Sequence, residues 1–244
     1  MGANAVTTVP VYVAGEVLTA ADLNITNSGV PVFATTVTRD AAFGGTGEKT
    51  LAEGQFAYIE ATNTTQYYDG AAWQAVGTTP GLVCVKAETT FSGASSVTAD
   101  NVFTSSYTNY VIKFRYITNN TVQPSFKLRA SGTSASTNYN YQYINGNASS
   151  VGAAGATGQT SANFALYSNG DYKSAATLEL FSPQIAEATN YTSLNAWSPA
   201  SYNSLNAFYA GNHSTATAYD GIEFLVSAGT MTGAYTIYGY SKAV

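Results

Sequence analysis

Charge is what this 244-residue sequence has least of. Asp, Glu, Lys and Arg make up 9% of it, against about a quarter in an average soluble domain. Thr, Ser, Asn, Gly and Tyr fill the gap, giving a surface solvated by hydroxyls and amides, which does not suit a typical cytosolic enzyme. Nine basic residues stand against fourteen acidic ones, for a net charge of −5. No Lys/Arg cluster gathers anywhere, so the electrostatic footprint of a nucleic-acid partner is missing. The polybasic patch of a membrane-surface protein is missing for the same reason, and no apolar run approaches the length of a bilayer span. The first residues, MGANAVTTVPVYVAGEV, contain no basic segment followed by an apolar one, so no secretory signal is visible.

Cysteine and histidine are nearly as scarce. With Cys84 alone, no intramolecular disulfide can form. It lies in the apolar run GLVCVKA, where a buried structural thiol is expected. The single His213 excludes a multi-histidine metal site, and a Cys/His zinc site would need partners the chain does not have. Calcium loops of the DxDxDG type are absent, so neither metal nor cofactor is expected. A serine triad through His213 would lack the GxSxG elbow, and AGNHSTA reads as an exposed loop between two strands. Asp220 and Glu223 in YDGIEF are three apart, which on a strand places them on opposite faces. Glu179 and Glu187 have no obvious partner. No residue is therefore assigned a catalytic role, and the chain reads as non-enzymatic.

What the sequence does have is short alternating apolar runs separated by polar turns. In the first third, VPVYVAG and VPVFATTV read as strands, and LTAADLN carries a capping-box arrangement with Thr19 three residues before Asp22. QFAYIEA, TQYYD and AAWQAV then form a three-stranded meander. Asp69-Gly70 is the signal for a type I′ hairpin turn, with positive φ at both central positions. Such short strands cannot be stable alone, so Tyr67, Tyr68 and Trp73 are assigned to packing or assembly: they close a miniature core or dock on a neighbouring chain. The turn-rich GTTPG (77–81) marks a boundary. Beyond it about nine strands recur: LVCVKA, NYVIKFRYI, PSFKLRA, NYNYQYI, NFALYS, ATLELFS, LNAFYA, IEFLVS and AYTIYGY. The segment SSVGAAGATGQTSAN (149–163) reads as a long loop. The fold class is all-β: an antiparallel, jelly-roll-like β-sandwich over 80–244, preceded by an extended arm and small β-meander over 1–79.

Two aromatic groups remain. Tyr139, Tyr141 and Tyr143 share one strand face and are assigned first to the core or to a subunit contact. Trp197 and Tyr202 lie in the turn-like AWSPASYNS, where packing and ligand binding both stay open. Rings beside amides suit a carbohydrate, whose C–H faces stack while its hydroxyls bond. If a glycan binds, Trp197, Tyr202 and Asn212 on loops of the second domain are the candidate residues.

With these residues laid out, the chain resembles virion structural proteins of tailed bacteriophages, especially marine and cyanobacterial phages. The resemblance is carried by VPVYVAGEVLTAADLNITNSGVPVF, by RDAAFGGTGEKTLAEGQFAYIEATNTTQYYDGAAW and by the terminal TIYGY, and most of it lies in the N-terminal third. The block ending in YYDGAAWQAVG is similar to a small β module of phage fibre and minor tail proteins. The resemblance implies a homotrimer in contact with other virion proteins of the capsid or tail, and no catalytic residues. The absence of a long shaft leaves a short fibre, a minor tail protein or a head decoration protein. Host-surface carbohydrate is the expected partner of the first two, and a purely structural cementing role is the alternative. Folding in a bacterial cytoplasm followed by assembly on the virion reconciles an exported-looking surface with the lack of a signal.

Overall fold

The computed structural model describes residues 7, 9, 12–17, 29–45, 48–77, 81–147, 150–168, 174–197 and 205–242. The chain divides into two compact units, Met1–Thr79 and Pro80–Val244.

The first unit holds β1 (Val32–Phe33), a one-turn helix α1 (Thr36–Asp40), β2 (Phe56–Ile59), β3 (Thr64–Tyr68) and β4 (Trp73–Ala75). β2, β3 and β4 form the antiparallel meander, and β1 pairs with β2 in parallel. The run VPVFATTV is strand only at its start. Thr35 caps a helix instead, accepting from the Thr38 amide at 3.2 Å while its own amide donates to Thr38 Oγ1 at 3.0 Å. The helical signal around Thr19 lies outside the described residues, and residues 12–15 of VPVYVAG form no strand.

Alternation along β2 buries Ala57 and Ile59, which pack with Phe33, Ala42 and Val9. Trp73 closes this small core from the side. It is half-buried against Phe43 and Tyr68, at 5.8 and 5.7 Å between ring centres, and the buried Arg39 guanidinium lies 4.6 Å from its centroid. Arg39 also donates to Gln66 and Asp40. Tyr68 thus packs on Trp73 at the edge of this core, whereas Tyr67 is exposed beside Phe56. The turn is not type I′. Tyr68 pairs with Trp73 across four connecting residues, of which only Gly70 has positive φ. The Asp69 carboxylate holds the loop by accepting from the amides of Ala72 (2.7 Å) and Ala71 (2.9 Å), which keeps its pKa below the usual carboxylate value.

The second unit is an antiparallel β-sandwich. Its strands are β5 (Leu82–Ala94), β6 (Ser96–Ala99), β7 (Tyr107–Thr118), β8 (Ser125–Ala130), β9 (Thr133–Ser134), β10 (Tyr139–Asn147), β11 (Ser150–Gln159), β12 (Ala162–Asn163), β13 (Ser174–Phe181), β14 (Thr189–Trp197), β15 (Leu205–His213), β16 (Gly221–Leu225) and β17 (Met231–Ser241). One sheet has the order β11-β10-β15-β14-β13-β7-β17-β5, and the other β12-β8-β16-β6 with β9 beside β8. The chain passes repeatedly from one sheet to the other, and their inner faces share one core. Phe114 of the large sheet meets Phe224 of the small one at 4.9 Å, and Tyr191 meets Phe126 at 4.9 Å.

Alternation along β7 places Ile112, Phe114 and Tyr116 inside and Lys113 and Arg115 outside. Close strand packing requires glycine at 233, where a Cβ would lie 1.9 Å from the Arg115 carbonyl oxygen.

Three sequence expectations fail here, and one strand, β14, is not among those the sequence declares. Residues 150–159 are not a loop but the edge strand β11; its small residues are exposed on both faces and give no alternating signal. β14 was hidden because its inward positions include Ser193 and Asn195. Asn195 accepts from the Leu166 amide (3.0 Å) and donates to the Phe164 carbonyl (2.7 Å), satisfying the buried 164–166 stretch that reads as a strand but is none. Cys84 is exposed rather than buried, since β5 is the other edge of the large sheet.

Gly70→Val should open the first unit's hairpin, because a β-branched residue resists positive φ, and amide exchange across β3 and β4 should accelerate. Trp73→Ala should destabilise that unit by about 2–3 kcal/mol, below the about 3–5 of a fully buried aromatic. An unchanged melting curve for Trp73→Ala would show that the ring is not a packing element.

Candidate functional site

Register separates the candidate glycan residues. Asn212 on β15 pairs with Asn140 of β10 and Asn190 of β14, and accepts from Asn140 Nδ2 at 3.0 Å. Trp197 ends β14 opposite Leu205, seven residues earlier on β15. At about 3.3 Å per residue that is about 23 Å along the strand. The alternation also puts the two side chains on opposite faces. Trp197 is half-buried against the core, with the Tyr167 ring 5.0 Å away. Tyr202 lies outside the described residues. Trp197 and Asn212 therefore do not form one constellation.

The tyrosine series lines the core. Tyr139 is fully buried, Tyr143 stacks on Tyr209 at 4.9 Å, and the Tyr141 hydroxyl accepts from Asn163 at 3.0 Å.

The outer face of the large sheet carries a surface that the sequence reading did not assemble, because its parts come from four strands. Ile144, Phe208 and Leu194 are directly opposite one another on β10, β15 and β14, with Ala153 of β11 beside Ile144. They form an apolar ridge with exposures of 52%, 41% and 63%. A groove of about 560 Å³ runs along one flank, past Gln142, Ala210 and Gly155. A second of about 340 Å³ runs along the other, past Asn206, Gly146 and Val151. Further along the strands lies the amide row Asn140–Asn212–Asn190. These rows carry no charge. An apolar ridge bordered by amides matches a ligand with C–H faces and hydroxyl rims.

The loop end of the sandwich, where residues 131–138 and 214–220 turn, holds a cluster of titratable groups. His213 is not in an exposed loop but ends β15 at 2% exposure, its Nδ1 3.1 Å from the Tyr219 hydroxyl. Burial lowers its pKa against the weaker opposite pull of the Thr137 and Thr215 carbonyls. Nearby, Asp100, Asp220 and Glu223 surround Arg129. Asp100 accepts from Arg129 Nε at 2.7 Å, Asp220 from the Ser131 amide at 3.0 Å, and Glu223 from Ser134 Oγ at 2.6 Å. The bond to Asp100 raises the arginine pKa. Asp220 and Glu223 thus bear on one guanidinium and are held as structural acceptors. Among the described residues, no group of three or more His, Cys, Asp and Glu could hold a metal ion.

Because the folded-state pKa of His213 lies below its unfolded value of about 6.5, the ring is neutral in both states above that pH. Below it the unfolded chain takes up a proton that the folded chain resists, so stability should fall as pH drops from about 6.5 through the folded pKa. His213→Gln should remove that slope in a series of melts; a wild-type curve flat through this window would contradict the burial argument.

Comparison with known proteins places nothing beside these surfaces: no family model, no curated protein and no solved structure matches the chain.

Proposed function

We propose that this chain is a non-enzymatic structural protein of a tailed-phage particle. In this reading Met1–Thr79 attaches it to capsid or tail proteins, and Pro80–Val244 displays a sandwich that binds host-surface glycan. The attachment role rests on the resemblance of the N-terminal segments. The binding role rests on one observation above all, the uncharged patch of the outer face on β10, β15 and β14, where the Ile144–Phe208–Leu194 ridge lies four residues along β15 from the Asn140–Asn212–Asn190 row. Neutral, hydroxylated polymer is the ligand class that such a face can desolvate at little cost. Weak binding per site suffices, because several copies on one particle raise avidity without new contacts.

A second reading, decoration or cementing of a capsid, is favoured by the same ridge: Leu194 and its neighbours present apolar side chains that a permanent protein contact would cover. In both readings the chain is a homotrimer folded in the bacterial cytoplasm and carried on the virion.

Labelled full-length protein should bind cyanobacterial host cells, and Phe208→Ala with Asn212→Ala should weaken that binding at least tenfold while the fold is kept. Binding unaffected by both would move the site elsewhere. Failure of a folded, assembled protein to bind any host would favour the cementing role. Light scattering should give a trimer mass, and a stable monomer at micromolar concentration would contradict assembly.

A further inference from the structure

The two flanks of the Ile144–Phe208–Leu194 ridge are not equivalent. Strand pairing sets the outer side chains in rows that cross the strands. On one flank the next row is Gly155–Gln142–Ala210–Thr192, on β11, β10, β15 and β14 in turn. Two residues beyond it, about 7 Å along the strands, comes the Asn140–Asn212–Asn190 row. The lower row forms the floor of the groove of about 560 Å³, a volume in the range of small-molecule sites. The floor is low because glycine is required at 155, where a Cβ would lie 2.7 Å from the Tyr141 carbonyl oxygen. On the other flank Asn206 lies over Gly146, its Oδ1 3.1 Å from where a Cβ would stand, so that groove has an amide in its floor.

The wider groove is therefore a trough with two unlike banks. Its ridge side is Ile144 and Phe208, and its floor offers only the methyl of Ala210 and the bare backbone of Gly155. Among its described lining residues, Gln142 has the one polar side chain on the outer face, since Tyr143 stacks on Tyr209. A hydroxyl pressed against the ridge side would give up water and find no partner, whereas a methyl group gains by burial there. Hydroxyls on the opposite side of the same ligand would face Gln142 and the asparagine row, whose amides both donate and accept. The ligand that fits carries a methyl on one edge and hydroxyls on the other.

Charge narrows the choice further. The floor row continues onto β13 as Glu179, which pairs with Thr192 and accepts from the Tyr240 hydroxyl at 2.7 Å. Lys113 lies one strand further out, on β7, and donates to Thr177 Oγ1. An acidic sugar extending along the trough would meet the carboxylate first, and like charges brought together are unfavourable.

We propose that this trough selects neutral glycans that carry 6-deoxyhexose residues. The C6 methyl sits on the Ala210–Gly155 floor against Phe208, and the ring hydroxyls turn to Gln142 and the asparagine row. The proposal rests on the glycan-binding reading above and goes beyond it by naming the sugar class and the flank of the ridge that takes it.

The test uses isotope-labelled full-length protein, followed through the side-chain amide signals of Gln142, Asn140 and Asn212 by nuclear magnetic resonance. It would be titrated with sugar pairs that differ only at C6: L-rhamnose against L-mannose, and L-fucose against L-galactose. At least one deoxy sugar should shift the Gln142 signals saturably. Its 6-hydroxy counterpart should bind about fivefold more weakly or worse, the penalty of a hydroxyl left without a partner. Ala210→Leu, which fills the floor, should abolish the shift, and Phe208→Ala should weaken the same binding from an exposed position. Asn206→Ala, on the other flank, should leave it unchanged. A 6-hydroxy sugar that binds as tightly as its deoxy counterpart would overturn the proposal, as would a shift that survives both Ala210→Leu and Phe208→Ala. Sugars that move no amide signal, in a protein that still binds host cells, would overturn the trough and leave the glycan reading standing. Silence in both assays would remove that reading as well.

Discussion

The second unit depends on hydrogen bonds made by buried tyrosine hydroxyls. A chain so poor in charge, and so rich in tyrosine, fills its core with phenols: Tyr110, Tyr116, Tyr139, Tyr191, Tyr209 and Tyr235 are among its largest fully buried side chains. Each brings a hydroxyl that costs about 1–3 kcal/mol if left without a partner. Five of the six reach backbone. Tyr116 donates to the Leu166 carbonyl, Tyr191 to that of Asn163 at 2.8 Å, and Tyr235 to that of Thr98 at 3.2 Å. Tyr110 donates to the Thr104 carbonyl and accepts from the Thr104 amide, while Tyr139 accepts from the Leu128 amide and donates to Ala135. Burial correspondingly pushes the Tyr116, Tyr139 and Tyr191 phenols above their ordinary pKa, keeping them neutral donors.

Several of these bonds cross from the large sheet to segments beside the small one, so the phenols do two things. Their rings supply apolar area to the shared core, and their hydroxyls tie down connections that have no ladder partner. Residues 163–166 are held in this way by Tyr191, Tyr116 and Asn195. The connection over residues 131–137 is held by Tyr139 through the Ala135 carbonyl. The Tyr209 hydroxyl is the exception, buried without a partner, while the outer face of the large sheet carries the exposed apolar ridge where the proposed recognition takes place.

How much of this was legible follows from periodicity. Strands with strict alternation, such as Ile112–Phe114–Tyr116 against Lys113–Arg115, declare themselves in sequence. So do the meander of the first unit and the all-β class. β11 is illegible because a strand exposed on both faces has no pattern, and β14 because its inward positions include the polar Ser193 and Asn195, of which Asn195 serves distant backbone and also donates to Ser193. His213 looked like a loop residue for a related reason, since its polar neighbours Asn212 and Ser214 hide a buried strand end. The surface around Phe208 could not be assembled beforehand at all, because register between β10, β15 and β14 is a property of the folded sheet. Trp197 and Asn212, close in composition to a sugar site, proved to lie at opposite ends and on opposite faces.

The most direct test of this account is the stability of Tyr139→Phe, measured by denaturant unfolding together with amide exchange over residues 131–137. The substitution keeps the ring in the core but leaves the Leu128 amide and the Ala135 carbonyl without their shared partner. A loss of about 1–3 kcal/mol, with faster exchange throughout that loop, is the predicted result. A variant as stable as the parent, with the loop equally protected, would contradict the claim that phenol hydroxyls hold the sandwich together.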